Sequence, residues 1–340
     1  MKFSIRHLAV LSLSSLLIAA GCGNNNASTN TGSSSNTSAT ATAEAPTAPA
    51  SHKLNIKVSF YPMYEFTKNI TGDLADVEAL IPPGIEPHDW EPTAQDMAQI
   101  TKADVLIYNG AGMESWVDQV LDSASGSKLV AVEASKGLDI MEGAEEEEDE
   151  HDHAHGEGED HHHDHGGLDP HVWLDPALAV KEVQNIEAAL AAAAPEHSEA
   201  FKANASAYIS KLEALDQEYR EAIKEVKRKD FITQHAAFGY LAKEYGLTQV
   251  PIAGLSPEEE PSAAKMAEIV EFAKTHNVKT IFFETLVSSS VADTIAKEIG
   301  AKTAVLNPIE GLTEEDRSHN LDYLGIMRQN LEALKIALNE

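Results

Sequence analysis

The chain has 340 residues, is 43% hydrophobic and carries a formal net charge of −30. It is long enough for two domains with well-buried cores, and too apolar to be a disordered polymer. Such acidity excludes nucleic acid and anionic lipid as electrostatic partners and makes cations the natural ones.

Residues 1–21 read as a targeting segment. Lys2 and Arg6 form a positive start, and Leu8 to Ala20 is an apolar run too short to span a bilayer comfortably. It ends at Ala19-Ala20-Gly21, small residues immediately before Cys22, the one cysteine of the chain. A lone cysteine cannot close an intrachain disulfide, so its position needs another reason. The segment resembles a bacterial lipoprotein signal, although Ala19 stands where leucine is commoner. The resemblance implies cleavage before Cys22 and lipidation of its thiol. The alternative is an ordinary secretory signal with a chance cysteine. Residues 22–52 hold Asn, Ser, Thr, Gly, Ala and Pro with almost no large apolar side chains, so a lipid anchor with a flexible tether is expected. The body would then sit in the extracytoplasmic space, lipid-anchored to the cell membrane.

From Lys53 the pattern alternates. Strands are expected at Lys53–Phe60, Val77–Ile81, Val105–Asn109 and Lys128–Val132, with helices at Met63–Thr71, Thr93–Lys102 and Met113–Ser123 between them. Pro176–Ala194 and Glu196–Lys229 are rich in Ala, Glu, Lys and Leu and read as two helices separated at Pro195. The second, near 45 Å if unbroken, reads as a rigid connector. Alternation then resumes: strands at Phe231–Gln234, Gln249–Ala253, Thr280–Glu284 and Thr303–Leu306, helices at Ala237–Tyr245, Ser262–His276, Ser290–Gly300 and Leu321–Leu338. The expected fold class is α/β, two parallel-sheet lobes joined by a long helix with a cleft between them. The lobes would be residues 53–175, carrying a loop at 142–167, and 230–340, with a helical region at 176–229. Neither a GxGxxG nor a GKS/GKT phosphate loop is present.

The loop holds the densest chemistry. Residues 142–165 contain twelve carboxylates and no Lys or Arg, and His151, His153, His155, His161, His162, His163 and His165 are interleaved with them. Imidazole and carboxylate are the side chains that bind divalent first-row metals. As a bare charge run the loop would be solvated; as a functional element it would collect metal at low affinity. Elsewhere His197, His276 and His319 sit among polar residues and are expected at the surface. His88 lies in the proline-stiffened PPGIEPHDWEP, His171 in DPHVWLDP, and His235 follows the strand FITQ. Each falls at a strand-to-helix junction, where open α/β sheets bind ligands. Singly each could be a hydrogen-bonded structural residue; three at equivalent points beside a histidine-rich loop point to a metal site.

The ordered set GIEPHDWEP, DPHVWLDP, ITQHAAFGYLAKEYGL, FFETLVSSSVADTIAKEIG and VLNPIEGLT resembles the zinc-binding lipoproteins of bacterial metal ABC importers, the cluster that includes the ZnuA and AdcA proteins. The resemblance covers about residues 53–338. It implies metal held between two lobes by His88, His171 and His235, with an acidic fourth ligand. In much of the family an aspartate matches Asn307, and an amide is a weaker ligand. Glu310 resembles the glutamate that serves in the AdcA-like branch and is the expected fourth ligand; water, Glu284 or a loop histidine are the fallbacks. Three imidazoles and a carboxylate suit Zn2+ over Mn2+. Asp169 or Asp175 could orient His171, with helix capping the expected role of Asp175. The expected function is capture of Zn2+ by a monomer and delivery to a membrane permease driven by a cytoplasmic ATPase. Two alternatives are a zinc hydrolase, which would need an open coordination position and lacks an HExxH motif here, and an anchored metal buffer or adhesin without a transporter.

Overall fold

The computed structural model describes residues 53–143 and 167–340. The tether, Cys22 and the seven loop histidines lie outside the described residues.

The first sheet is built from β1 (Leu54–Val58), β2 (Ala75–Ala79), β3 (Val105–Tyr108) and β4 (Val130–Glu133), all parallel in the order β2-β1-β3-β4. Helices α1 (Tyr61–Thr71), α2 (Ala94–Ile100) and α3 (Val117–Ser123) connect them. The second sheet repeats that order, β6-β5-β7-β8, from β5 (Asp230–Thr233), β6 (Thr248–Pro251), β7 (Thr280–Phe283) and β8 (Lys302–Val305). Its helices are α6 (Gly239–Tyr245), α7 (Ala263–Thr275), α8 (Ser290–Ile299), the short α9 (Glu314–Ser318) and α10 (Tyr323–Ala337). The two lobes thus share one topology, which no shared sequence fingerprint announced.

The strand sequences explain the layering. Successive side chains point to opposite faces, so in β3 Val105 and Ile107 join the central core while Leu106 packs outward with Ile100, Trp116 and Val120. In β7 Phe282 faces the central core and Ile281 the outer layer of Ile232, Ile269 and Ile295. Both faces are covered, which is why these strands read as continuous apolar runs.

Between the lobes run α4 (Pro176–Ala193) and α5 (Ser198–Ile223). Asp175 caps α4 by accepting from the Ala177 N–H at 2.8 Å, with Pro176 at the first helical position. A 3-10 turn at Pro195–His197 separates the helices. The connector is shorter than the sequence suggests: 26 residues, about 39 Å, rather than a helix running to Lys229. Lys229 Nζ instead donates to the Ile223 carbonyl at 2.9 Å, ending the helix, and the Lys229 carbonyl already pairs with Thr248 N–H at 2.7 Å as β5 begins. Along α5, Tyr208 packs near Phe66 of α1 in the first lobe. One end further on, Tyr219 stacks on Tyr245 of α6 at 5.0 Å and donates to the Met327 carbonyl of α10 at 2.6 Å. One helix therefore grips both lobes. Among the described residues no helix is long and apolar enough to cross a membrane.

Candidate metal centre

Each of the four expected ligands leaves the C-terminal end of a strand: His88 after β2, His171 beyond β4, His235 after β5 and Glu310 after β8. Two come from each lobe. The structure brings all four together, with their ligand atoms within 4.8 Å of one another. Glu310 Oε1 lies 3.2 Å from His88 Nε2, 3.4 Å from His171 Nε2 and 3.6 Å from His235 Nε2. His171 Nε2 is 3.3 Å from His88 Nε2 and 3.4 Å from His235 Nε2. A tetrahedron with bonds of about 2.0–2.1 Å, the range for zinc to imidazole and carboxylate, has edges of about 3.3–3.4 Å. The five distances scatter around that value. The second oxygen of Glu310 is buried without a hydrogen-bond partner, a costly state for a carboxylate unless a cation neutralises it.

Hydrogen bonds fix which nitrogen faces inward. His171 Nδ1 meets Asp169 Oδ1 at 2.8 Å, and His235 Nδ1 meets Glu284 Oε1 at 2.7 Å. A carboxylate facing Nδ1 accepts the Nδ1–H hydrogen bond, which keeps the proton on that nitrogen and leaves the Nε2 lone pair directed at the centre. Of the two aspartates considered for His171, Asp169 orients the ring and Asp175 caps α4. Glu284, one of the fallbacks for the fourth ligand, sits just past the end of β7 and hydrogen-bonds His235. His88 is placed by its loop: Glu86 accepts its backbone N–H at 3.0 and 3.1 Å.

Glu310 is presented by a strained turn. Ile309, β-branched, takes a positive φ of 60°, and its N–H donates to Asn307 Oδ1 at 2.7 Å. Asn330 holds Asn307 from α10, and Trp173 Nε1 donates across the cleft to the Pro308 carbonyl at 2.8 Å. Asn307 thus shapes the turn, its Oδ1 engaged by the Ile309 N–H.

Electrostatics follow from burial. Burial drives the His88 ring toward its neutral form. Burial opposes charge on His171 and His235 as well, but Asp169 and Glu310 outweigh it at His171, and Glu284 and Glu310 push His235 up to about 10. Burial alone would raise Glu310; the three imidazoles hold it well below the usual carboxylate range instead. Glu86, half-buried and close to Glu310, is pushed up to about 8 by desolvation and by that carboxylate. The side chains of His171 and Glu310 are 0% exposed and that of His88 11%, so His88 faces the opening. There a cleft of about 260 Å3 is lined by His88, Asp89, Met113, Leu168, Pro170 and Glu258. His197 is half-buried, and His276 and His319 are exposed; all lie apart from the centre.

Sequence reasoning missed Tyr240. Its hydroxyl accepts from the Met141 N–H and donates to the Asp169 carbonyl, both at 2.8 Å. Burial pushes its pKa up to about 12, so it keeps its proton. A tyrosine on the buried side of a short helix is no signal by itself.

Comparison with known proteins agrees with this architecture. Residues 56–337 match the family model described as ZnuA, zinc-uptake complex component A, periplasmic. The chain is 56% identical over 286 residues to the high-affinity zinc uptake system protein ZnuA of Bacillus subtilis, covering 84% of this chain and 88% of that protein. It is 49% identical over 286 residues to the zinc-binding lipoprotein AdcA of Streptococcus pneumoniae, spanning 84% of this chain and 56% of AdcA. The crystal structure of the Zn(II)-bound ZnuA-like domain of Streptococcus pneumoniae AdcA superposes with a TM-score of 0.72 at 44% identity, covering 85% of this chain and all of that domain. With two four-stranded parallel sheets, four convergent ligand atoms and a match along nearly all of its folded length, the chain belongs to the ZnuA family of periplasmic zinc-uptake components.

Proposed function

We propose that this protein captures Zn2+ outside the cytoplasm with His88, His171, His235 and Glu310 and delivers it to the membrane permease of an ATP-driven importer. The observation that carries the reading is that five of the six ligand-to-ligand distances are 3.2–3.6 Å, with all four atoms within 4.8 Å of one another, which suits a small tetrahedral cation. Three imidazoles with one carboxylate favour zinc over manganese, which takes more oxygen ligands. Four protein ligands complete a tetrahedron and leave no open position for a catalytic water, which supports carriage over hydrolysis. Family membership and the zinc-bound relative support the same cargo.

In this reading Cys22 carries the lipid that keeps the protein at the membrane, and His151, His153, His155, His161, His162, His163 and His165 collect zinc at lower affinity. Transport is tested in cells lacking the gene, by accumulation of radioactive zinc under zinc limitation. The wild-type chain restores uptake and His171→Ala does not. Equal restoration by both would reject the centre as the transported ion's site. Unchanged uptake on deleting the gene would favour the buffer or adhesin reading.

A further inference from the structure

Beyond the four ligands, a short structural chain joins the root of the acidic segment to the centre. Residues 141–143 and 167–169 run antiparallel: Glu142 pairs with Leu168, Gly143 N–H donates to the Gly167 carbonyl, and Asp169 N–H donates to the Met141 carbonyl at 2.8 Å. This two-stranded stem is fastened to α6 by Tyr240, whose one hydroxyl takes the Met141 N–H and gives to the Asp169 carbonyl. Asp169 in turn accepts both the backbone N–H and the ring Nδ1 of His171. The fit is close. A Cβ on Gly239 would lie 2.8 Å from Asp169 Oδ2 and 3.5 Å from Met141 Cε, so α6 reaches the stem only because its first residue lacks a side chain. The same connection from β5 to α6 thus supplies the ligand His235 at one end and secures the partner of His171 at the other.

We propose that Tyr240 is a positioning residue of the metal centre: by closing the stem it holds Asp169, and through Asp169 the His171 imidazole, so that the closed stem sets how fast the metal leaves. The proposal rests on the assignment of His171 as a zinc ligand. Loss of a residue that orients a metal-binding histidine typically weakens affinity 10–100-fold; Tyr240 stands one step further out, so about tenfold is expected. A stem that opens also provides a release route needing no rotation of the lobes against α5.

The test is zinc release from the loaded full chain into excess chelator, followed by stopped flow. Tyr240→Phe is expected to release zinc about tenfold faster than wild type. Tyr219→Phe, which removes a comparable hydroxyl-to-carbonyl bond between α5 and α10, outside the stem, should leave the rate unchanged and controls for general loosening. A second pair of variants acts on the stem directly. Glu142 and Leu168 face each other between the two flanking hydrogen bonds, the close-pair position whose spacing a disulfide can bridge. With Cys22→Ser removing the native thiol, Glu142→Cys with Leu168→Cys in the Tyr240→Phe background should release slowly when oxidised and fast when reduced. Wild-type release by Tyr240→Phe, an equal acceleration by Tyr219→Phe, or fast release from the oxidised cross-linked protein would each overturn the proposal. His171→Ala separates the two levels: if it binds zinc as tightly as wild type, the centre itself is misassigned, whereas weakened binding there with an unaffected Tyr240→Phe rejects the stem alone.

Discussion

Asp169 Oδ1 accepts two hydrogen bonds from the same residue, His171: one from the backbone N–H at 3.0 Å and one from ring Nδ1 at 2.8 Å. The residue between them, Pro170, has a fixed φ. Within this three-residue segment the direction of Nε2 follows Asp169, whose own carbonyl the Tyr240 hydroxyl holds from α6. Replacing Asp169 with alanine frees the ring and its tautomer. Zinc affinity should fall about 10–100-fold in a competition titration against a chelator, while circular dichroism stays that of the wild type. Unchanged affinity would mean that packing, not this carboxylate, orients the ring.

The turn at Asn307–Glu310 gives a paired prediction. Asn307 Oδ1 is committed to the Ile309 N–H and Asn330 holds its backbone, so Asn307→Asp should shift zinc affinity less than tenfold. Glu310→Gln removes the one anionic group of the four and should cost at least 100-fold. A reversed ranking in the same titration would place the fourth ligand at position 307.

Asp175 supplies a pH prediction away from the ligands. Burial, with Glu244 and Asp216 nearby, pushes its pKa up to about 7, whereas the unfolded chain holds it near 3.9. The folded state therefore keeps a proton that the unfolded state gives up, so stability declines as pH rises from about 4 to about 7 and is level above that. Asparagine caps a helix as well as aspartate does. Asp175→Asn should thus be more stable than wild type at pH 8, by roughly 1–3 kcal/mol after loss of the favourable charge at the helix start, with the advantage gone at pH 4. Denaturant midpoints at the two pH values measure this. A variant less stable at pH 8 would show that the ionised cap is worth more than its burial costs.

Rigidity is the fourth expectation. Tyr219 ties α5 to α10, Trp173 bonds across to Pro308, and the Tyr323 hydroxyl donates back to the Trp173 carbonyl. Metal-free and metal-bound forms should differ by loop movements around His88 and the stem, with the lobes fixed on α5. Small-angle scattering of the two forms should superpose; a lobe rotation of tens of degrees would contradict it.

Much of this was readable in the chain, and for identifiable reasons. Strands buried on both faces, such as VLIY at Val105–Tyr108, stand out as apolar runs. Histidines flanked by prolines and apolar residues stand out because there are few of them outside the acidic run. Glu310 was legible only through family resemblance, since one carboxylate among 55 carries no pattern. Glu284 and Tyr240 act on partners 49 and 71 residues away, a relation that no local period encodes. The short α9 was missed although Thr313 and Asp316 form a capping box, because five residues are too few to show a helical period. The connector was read too long because its charged end, Lys224–Lys229, keeps helical composition while Lys229 turns back to cap it.

The most direct measurement is zinc stoichiometry and affinity, by titration with elemental analysis, in the wild-type chain, in His171→Ala and in a chain lacking residues 145–165. The geometry predicts one tight zinc in the wild type, that zinc weakened by orders of magnitude in His171→Ala, and the tight site nearly intact after the deletion with only weaker binding lost. A deletion that abolishes the tight zinc while His171→Ala retains it would contradict the assignment of the site to His88, His171, His235 and Glu310.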